Sequence, residues 1–279
     1  MDDKTMTLLH ELLSGYAYRL QERTLLAYEQ NIKAFFLFSQ TPYHQIKASD
    51  IRKWMHHLQE TGQKPTTIHQ KIASLRLFFT YAIEEQLLVN NPTTNVALPK
   101  LEDKIPHYLK REELEQLRYL VKDSKRERAI IETMYTTGVR LGELIDMKQS
   151  DVSWEHRAIH IRNGKGKKER NVFFSQGCKQ KIQDYLSTRT DDLPNLFLNS
   201  KGKPVQQRAL RLTFEGYSDR LGFKVSPHTM RHTFAAHLAE KGMPLVYIQD
   251  LLGHDSIEVT KMYARLHEEA RKRQYDYYV

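Results

Sequence analysis

Between Ser226 and Ala264 the chain reads SPHTMRHTFAAHLAEKGMPLVYIQDLLGHDSIEVTKMYA, and this stretch constrains it more than any other. His228 and Arg231 are three residues apart, so on a helix they share one face and reach the same anion. Leu251-Leu252-Gly253-His254 closes a second helix, with Gly253 as its left-handed stop. Asp255, followed three residues later by Glu258, is a capping pattern that opens a third. Tyr263 falls near the end of that helix, nine residues after His254. Two imidazoles, a guanidinium and a phenol are thus delivered by three short helices.

Two upstream segments belong with this one. Thr137-Gly138-Val139-Arg140-Leu141-Gly142-Glu143-Leu144 comes first, then Gly164-Lys165-Gly166-Lys167-Lys168-Glu169-Arg170. Taken alone, Arg140 and Glu143 read as an ordinary surface ion pair, and a basic glycine turn reads as a solvated hairpin. With His-x-x-Arg, Leu-Gly-His and a tyrosine nine residues on, the four motifs resemble the tyrosine recombinases, or phage integrase family. They stand in family order over roughly residues 105–266. The resemblance implies a mainly α chain with a small β-sheet, folded as a two-domain clamp. Its parts are an N-terminal helical, SAM-like core-binding domain and an α+β catalytic domain. It also implies a catalytic set of Arg140, Lys165, His228, Arg231, His254 and Tyr263, with Glu143 as the partner behind Arg140.

The bulk numbers agree with a polyanionic partner. Lys and Arg number 43 against 34 Asp and Glu, a net charge of +9. Residues 1–100 hold 11 basic and 9 acidic side chains, so most of the excess lies in the second part, where the motifs are. Charge speaks to partners rather than fold, and many basic enzymes bind no nucleic acid. The single cysteine, Cys178, permits no internal disulfide and fits a reducing cytoplasm. MDDKT at the N-terminus has no apolar signal region, and no apolar run is long enough to span a bilayer. A cytoplasmic protein with no membrane contact is expected.

Taken in order, residues 4–88 predict four amphipathic helices. Their apolar stripes are Met6, Leu9, Leu12, Leu13 and Tyr16; then Tyr28, Ile32, Phe35 and Phe36; then Ile51, Trp54, Met55 and Leu58 behind Ser49-Asp50; then Ile68, Ile72, Leu75, Phe79 and Ile83 behind Pro65. The last helix is expected to stop at Asn90-Asn91-Pro92. Residues 1–92 would be the core-site DNA-binding domain, with Lys64, Thr66, Thr67, His69, Lys71 and Arg76 as its candidate DNA face. Residues 93–108 lack periodicity and read as a linker. The catalytic domain would run over 109–266, with helices near 110–122, 125–137, 176–189 and 204–221. Strands are expected at 157–162 and 169–174, with a short apolar one at Leu196-Phe197-Leu198. By resemblance Lys165 lies on the hairpin between the first two strands and enters the minor groove, with Lys167 beside it. Arg208 and Arg211 are further candidates for phosphate contacts. Residues 267–279 form a tail with few apolar residues, expected to order against a neighbouring subunit.

The chemistry follows from the residue types. Free tyrosine has a pKa near 10, so roughly one in a thousand is ionised at neutral pH. Attack on a phosphodiester therefore needs a proton acceptor and an offset for the phosphate charge. Arg140 and Arg231 offer planar forks to the non-bridging oxygens. His228 is the candidate base, His254 a donor to the phosphate and Lys165 the acid for the departing 5′ oxygen. The 3′-phosphotyrosyl link conserves bond energy, so no cofactor is expected. His228-x3-His232 has zinc-ligand spacing, but the glutamate of His-Glu-x-x-His is absent and Arg231 would repel a cation. No metal is expected, and His232 and His237 read as structural.

The sequence thus reads as a site-specific recombinase that cuts and rejoins DNA through Tyr263 and a Holliday junction. The roles open to it are cointegrate resolution, integration or excision of a mobile element, and dimer resolution. A type IB topoisomerase and a non-catalytic DNA-binding regulator on the same fold are the alternatives. The expected partners are double-stranded DNA with paired inverted half-sites and further copies of the chain, a dimer per site and a tetramer in synapsis. An accessory protein is left open. The helical domain begins so early that the simple, Xer-like or transposon-resolvase-like type is expected, without an arm-binding domain.

Overall fold

The computed structural model describes residues 1–101, 105–162, 169–253 and 258–279. Two compact units emerge, Met1–Glu102 and Asp103–Val279. The first is a bundle of α1 (Asp3–Tyr16), α2 (Glu22–Ser39), α3 (Ala48–Glu60) and α4 (Pro65–Glu84). Asp2 caps α1 through the Thr5 amide, and Pro65 occupies the first turn of α4, where its missing N–H costs nothing. In α3 the Asp50 carboxylate reaches back to the Lys47 amide at 3.0 Å, so the helix starts at Ala48, just before the expected Ser49-Asp50.

The core of this unit is aromatic. Phe35 meets Trp54 edge-on at 5.2 Å between centroids, and Phe36 meets Phe78 likewise at 5.3 Å. The α4 stripe takes in Phe78 and Ala82 fully, while Ile83 is only half-buried. The helix also ends at Glu84, ahead of the expected stop at Asn90-Asn91-Pro92. Gln86 turns left-handed (φ 58°), and the amides of Leu87 and Leu88 fold back onto the Ala82 carbonyl. The segment expected as a linker is shared out. Val96 is buried in this core and Leu98 packs against it, whereas Ile105 and Tyr108 pack in the second unit.

The second unit holds α5 (Arg111–Leu120), α6 (Lys125–Thr137) and α7 (Leu141–Asp146), then a three-stranded antiparallel sheet. Its strands are β1 (Val152–Ser153), β2 (Ala158–Ile161) and β3 (Arg170–Phe173), in the order β1-β2-β3. Pairing of Ile159 with Val172 turns both inward; β1, too short to show in the sequence, completes the sheet. There follow α8 (Gln176–Leu186), α9 (Gln207–Leu221), α10 (Pro227–Glu240), α11 (Leu245–Leu252), α12 (Glu258–Lys261) and α13 (Ala264–Tyr278). Leu196-Phe197-Leu198 is buried but is not a strand. The Leu196 amide bonds the Met147 carbonyl and the Leu198 amide bonds the Tyr185 hydroxyl, so only isolated bridges form.

Residues 267–279 continue α13 without a break almost to the end of the chain. Leu266 and Ala270 bury against the same chain, α13 packs on α10, and Arg273 donates to the Glu240 carbonyl at 3.0 Å. Tyr275, Tyr277, Tyr278 and Val279 stay exposed. Among the described residues no helix is long and apolar enough to cross a membrane.

The chain turns into the site at Gly138, the left-handed end of α6 (φ 62°). A Cβ there would sit 2.2 Å from the Phe234 ring, so glycine is required for space as well as for φ. Gly62 has a similar φ of 74° with nothing within 4 Å. Gly62→Ala should therefore cost only the backbone strain, about 1–2 kcal/mol. Gly138→Ala should add about 1–3 kcal/mol of overpacking. Unfolding of each variant, followed by a probe in its own unit, checks the difference; an equal cost at the two glycines would contradict the contact with Phe234.

Candidate active site

Helix α10 is the spine of the site. Ser226 caps it by accepting from the Thr229 amide at 3.0 Å, and Pro227 stands in its first turn. It is buried nearly all round, so its polar side chains need partners inside. Thr233 accepts from the Leu109 amide at 2.9 Å, and His237 bonds the Leu109 carbonyl at 3.0 Å. The other nitrogen of His237 meets the Tyr135 hydroxyl at 3.1 Å, so both of its nitrogens are used structurally. Arg231 is 7% exposed; it donates to the Gly138 carbonyl at 2.6 Å and the Leu252 carbonyl at 2.7 Å. Burial, then the nearby Arg140, push its proton affinity down, yet a guanidinium stays charged at neutral pH.

Arg140 stands at the N-cap of α7. Its amide and its guanidinium both bond the Glu143 carboxylate, at 2.7 and 2.8 Å, and its other arm donates to the Gly253 carbonyl at 2.8 Å. Arg170, on β3, closes the far side of the same carboxylate with two bonds of 2.9 and 2.8 Å. Its Nε donates to the Leu251 carbonyl at 3.0 Å. Burial alone would raise the Glu143 pKa. Arg170 and Arg140 outweigh it and hold the carboxyl below its ordinary range. Three guanidinium groups thus grip three successive carbonyls at the end of α11, where the helix dipole is negative.

Arg140, Arg231, His228 and Arg211 line one pocket, with Pro227 and Val225 in its wall. His228 keeps an exposed ring on this pocket. Desolvation against the wall, then the charges of Arg211, Arg231, Arg140 and Lys224, hold its imidazolium pKa below the usual value. A cavity that disfavours one more positive charge is suited to an anion.

Tyr263, between α12 and α13, is 1% exposed. Its hydroxyl meets Nδ1 of His232 at 2.5 Å. Burial pushes the phenol pKa up, opposed by Arg231, while burial and then His228 and Arg231 push His232 down to about 4. At neutral pH a protonated phenol therefore shares a hydrogen bond with a neutral imidazole. The nucleophile candidate is at rest, held by a hydrogen bond to the helix that carries Arg231.

Of the residues expected from sequence, Arg140, Glu143, His228, Arg231 and Tyr263 come together in this unit, and Arg211 joins them on the pocket wall. Lys165, Lys167 and His254 lie outside the described residues. Arg208 is exposed one turn before Arg211 on α9. In the first unit, Lys64, the N-cap of α4, and Thr66 and Arg76 within it are exposed; Thr67 is half-buried. His69 bonds the Pro99 carbonyl at 2.7 Å, and the Lys71 ammonium sits 5.8 Å from the centre of the Trp54 ring.

Residues 107–270 match the phage integrase family model, and residues 16–86 match the phage integrase N-terminal SAM-like domain. Tyrosine recombinase XerC of Anoxybacillus flavithermus is 34% identical, over 88% of this chain and 87% of its own. XerC of Staphylococcus saprophyticus is 31% identical over 96% of both. The chain belongs to the phage integrase family. It is accordingly a tyrosine recombinase, an enzyme of site-specific recombination, with an N-terminal SAM-like domain and a catalytic domain. Among solved structures, a Tn1549 transposon integrase in complex with transposon right end DNA superposes with a TM-score of 0.81 at 21% identity, covering 98% of each chain. XerH recombinase bound to its difH substrate gives 0.68 at 22%, over 97% of this chain and 96% of that one. These two share the fold.

Two residues of this candidate site carry more than their sequence reading. His232 lies four residues after His228 and so faces the same way, a spacing that points it at the site. Arg170 is two residues before Val172 on β3 and therefore inward-facing, a position an arginine takes only with partners. The His232 pairing makes a pH prediction. Its pKa is near 4 folded and about 6.5 unfolded, so below about pH 6.5 the unfolded chain binds more protons. Stability should fall as pH drops from about 6.5 towards 4. His232→Gln should flatten part of that decline, with His228 and His237, also shifted down, supplying the rest. Thermal midpoints at pH 7, 6 and 5 check it; an unchanged slope in His232→Gln would mean that His232 is not held neutral.

Proposed function

We propose that this recombinase cleaves double-stranded DNA at paired, inverted core half-sites and rejoins it through a 3′-phosphotyrosyl intermediate and a Holliday junction. The observation that carries the reading is the convergence of Arg140, Arg231 and His228 on one cationic pocket, in the unit that also holds Tyr263. A phosphodiester bound there would present its non-bridging oxygens to the two guanidinium forks. The phenol oxygen of Tyr263 attacks phosphorus and its bond to the 5′ oxygen breaks. The phenolic proton passes to His228 beside the phosphate, and the 5′ oxygen takes a proton from Lys165. His254 donates to the phosphate. His232, with its low proton affinity, is the resting partner of Tyr263 rather than the base. A 5′-hydroxyl from the partner strand reverses these steps.

The first unit would grip the core site with the start and exposed face of α4, chiefly through Lys64, Thr66 and Arg76. The roles open to such an enzyme are cointegrate resolution, integration or excision of an element, and dimer resolution. The site of action would be the cytoplasm, with an accessory protein left open. Covalent adduct formation separates this reading from a non-catalytic regulator. Strand exchange between two sites separates it from a type IB topoisomerase.

The test uses a half-site duplex selected from a random pool by binding to the protein, nicked so that cleavage traps the adduct. Tyr263→Phe should bind it normally and form none. Lys165→Ala should fail on normal DNA and recover on a 5′-bridging phosphorothioate, whose thiolate leaves without a proton. His228→Ala should fail on both. An adduct in Tyr263→Phe would overturn the nucleophile assignment, and no sulfur rescue would move the acid elsewhere.

The tail gives the assembly reading. Tyr275, Tyr277, Tyr278 and Val279 offer exposed apolar anchors that a second protomer would cover, two protomers binding each site and four meeting in synapsis. Truncation after Gln274, which keeps the buried Ala270 and the bond from Arg273 to α10, should leave single half-site binding intact and weaken cooperative filling of the second. Gel-shift titration on one-site and two-site DNA checks it, and unchanged cooperativity would sink it.

A further inference from the structure

Arg170 lies outside the pocket that Arg140 and Arg231 line, yet three separate elements meet on it. It projects from β3, pairs both oxygens of Glu143 on α7, and donates Nε to Leu251 at the end of α11. Its side chain is 11% exposed, and that of Glu143 only 4%. A Cβ on Gly253 would come within 3.0 Å of its guanidinium, so the neighbouring turn of α11 is also shaped around it. Without Arg170, Glu143 would be left with Arg140 alone in a site from which water is largely excluded. The carboxylate and the guanidinium of Arg140 would then turn towards each other freely, because nothing else holds the far side of Glu143 in the contacts described.

We infer that Arg170 is a positioning residue for the reaction, holding Glu143 and the last turn of α11 so that the Arg140 fork stays aimed at the scissile phosphate. The two ends of the fork are fixed by the groups Arg170 itself fixes. Glu143 Oε1 takes one arm of Arg140, and the Gly253 carbonyl, two residues from Leu251, takes the other. The inference rests on the proposed role of Arg140 in offsetting the phosphate charge. Lysine is not equivalent at this position, since one ammonium cannot span two carboxylate oxygens and a carbonyl in fixed directions.

A charge-offset defect differs from a folding defect in how it answers to the substrate. Methylphosphonate at the scissile position carries no charge on its non-bridging oxygen and needs no guanidinium to offset one. Wild type, Arg140→Ala, Arg170→Ala and Arg170→Lys are compared in adduct formation on the selected half-site, as normal phosphate, methylphosphonate and 5′-bridging phosphorothioate. Half-site affinity and thermal midpoint are measured beside them. On normal DNA both Arg170 variants should cleave roughly 100-fold more slowly than wild type, the scale of a displacement of about 1 Å, with half-site binding changed by less than about threefold. On methylphosphonate the deficit should shrink at least tenfold for Arg140→Ala and for the Arg170 variants alike, and sulfur should leave it unchanged. Arg170→Lys keeps a positive charge opposite Glu143, so it carries the comparison should Arg170→Ala fail to fold. Shrinkage for Arg140→Ala but not for Arg170→Lys would overturn the inference alone. No shrinkage for Arg140→Ala would overturn the role of Arg140, and this inference with it. Normal cleavage by Arg170→Lys would also overturn it.

Discussion

The catalytic unit depends on the carbonyl end of α11. Leu251, Leu252 and Gly253 each give a backbone oxygen to a different arginine, Arg170, Arg231 and Arg140. The orphan carbonyls of a helix end need donors, and a guanidinium brings several in one plane. The bonds also answer the opposite problem. Three cations packed together repel one another, and the aligned dipoles of α11 supply negative potential without needing a further carboxylate. Glu143 is the one carboxylate among these contacts, shared by Arg140 and Arg170 and kept ionised by them. The result is a rigid positive surface that is neutralised only in part, which is the condition for binding an anion tightly enough to polarise it.

Resting chemistry and working chemistry are separated by the same device. Tyr263 is buried and hydrogen-bonded to His232, with both groups held in their uncharged forms. Neither ionises readily, because a phenolate or an imidazolium buried there would lack solvation. In the proposed mechanism, a bound phosphate would change the local field and bring His228 into play. In that mechanism the burial of Tyr263 would keep the nucleophile from adventitious reaction.

Helix α10 shows why this architecture tolerates so polar an interior. Thr229, Arg231, Thr233 and His237 are all buried, and each has a partner on a neighbouring segment or one turn back. Buried polar groups cost little once paired and much when not, so the pairs enforce one relative placement of α6, α10 and the irregular segment at Leu109. Gly138 allows α6 and α10 to approach closely enough for Arg231 to reach it. The first unit has such pairs too, Asn31 with Ser74 and Thr5 with the Tyr43 amide, but ring edges and helix stripes make up most of its core.

Local order was largely written in the sequence. Helical spacing and caps determined α1 to α4 and most helices of the second unit, because these depend on neighbours within a turn. Spacing put His228 and Arg231 on one face and ended helices at Gly138 and Gly253, whereas Arg140 and Tyr263 were marked by resemblance to the family's motifs. What only the tertiary structure decided are the partnerships that cross the chain: Arg170 with Glu143, three arginines on α11, and Tyr263 with His232. Residues 27 and 31 positions apart meet there. The same holds for the fate of Leu196-Phe197-Leu198, whose apolar pattern fits a strand until the Met147 carbonyl and the Tyr185 hydroxyl take its amides. It holds also for the end of α4, where Leu87 and Leu88 fold back before any breaker residue. Periodicity records which side of an element faces inward; it does not record what waits on the other side, because that is set by packing between segments whose separation in sequence carries no signal.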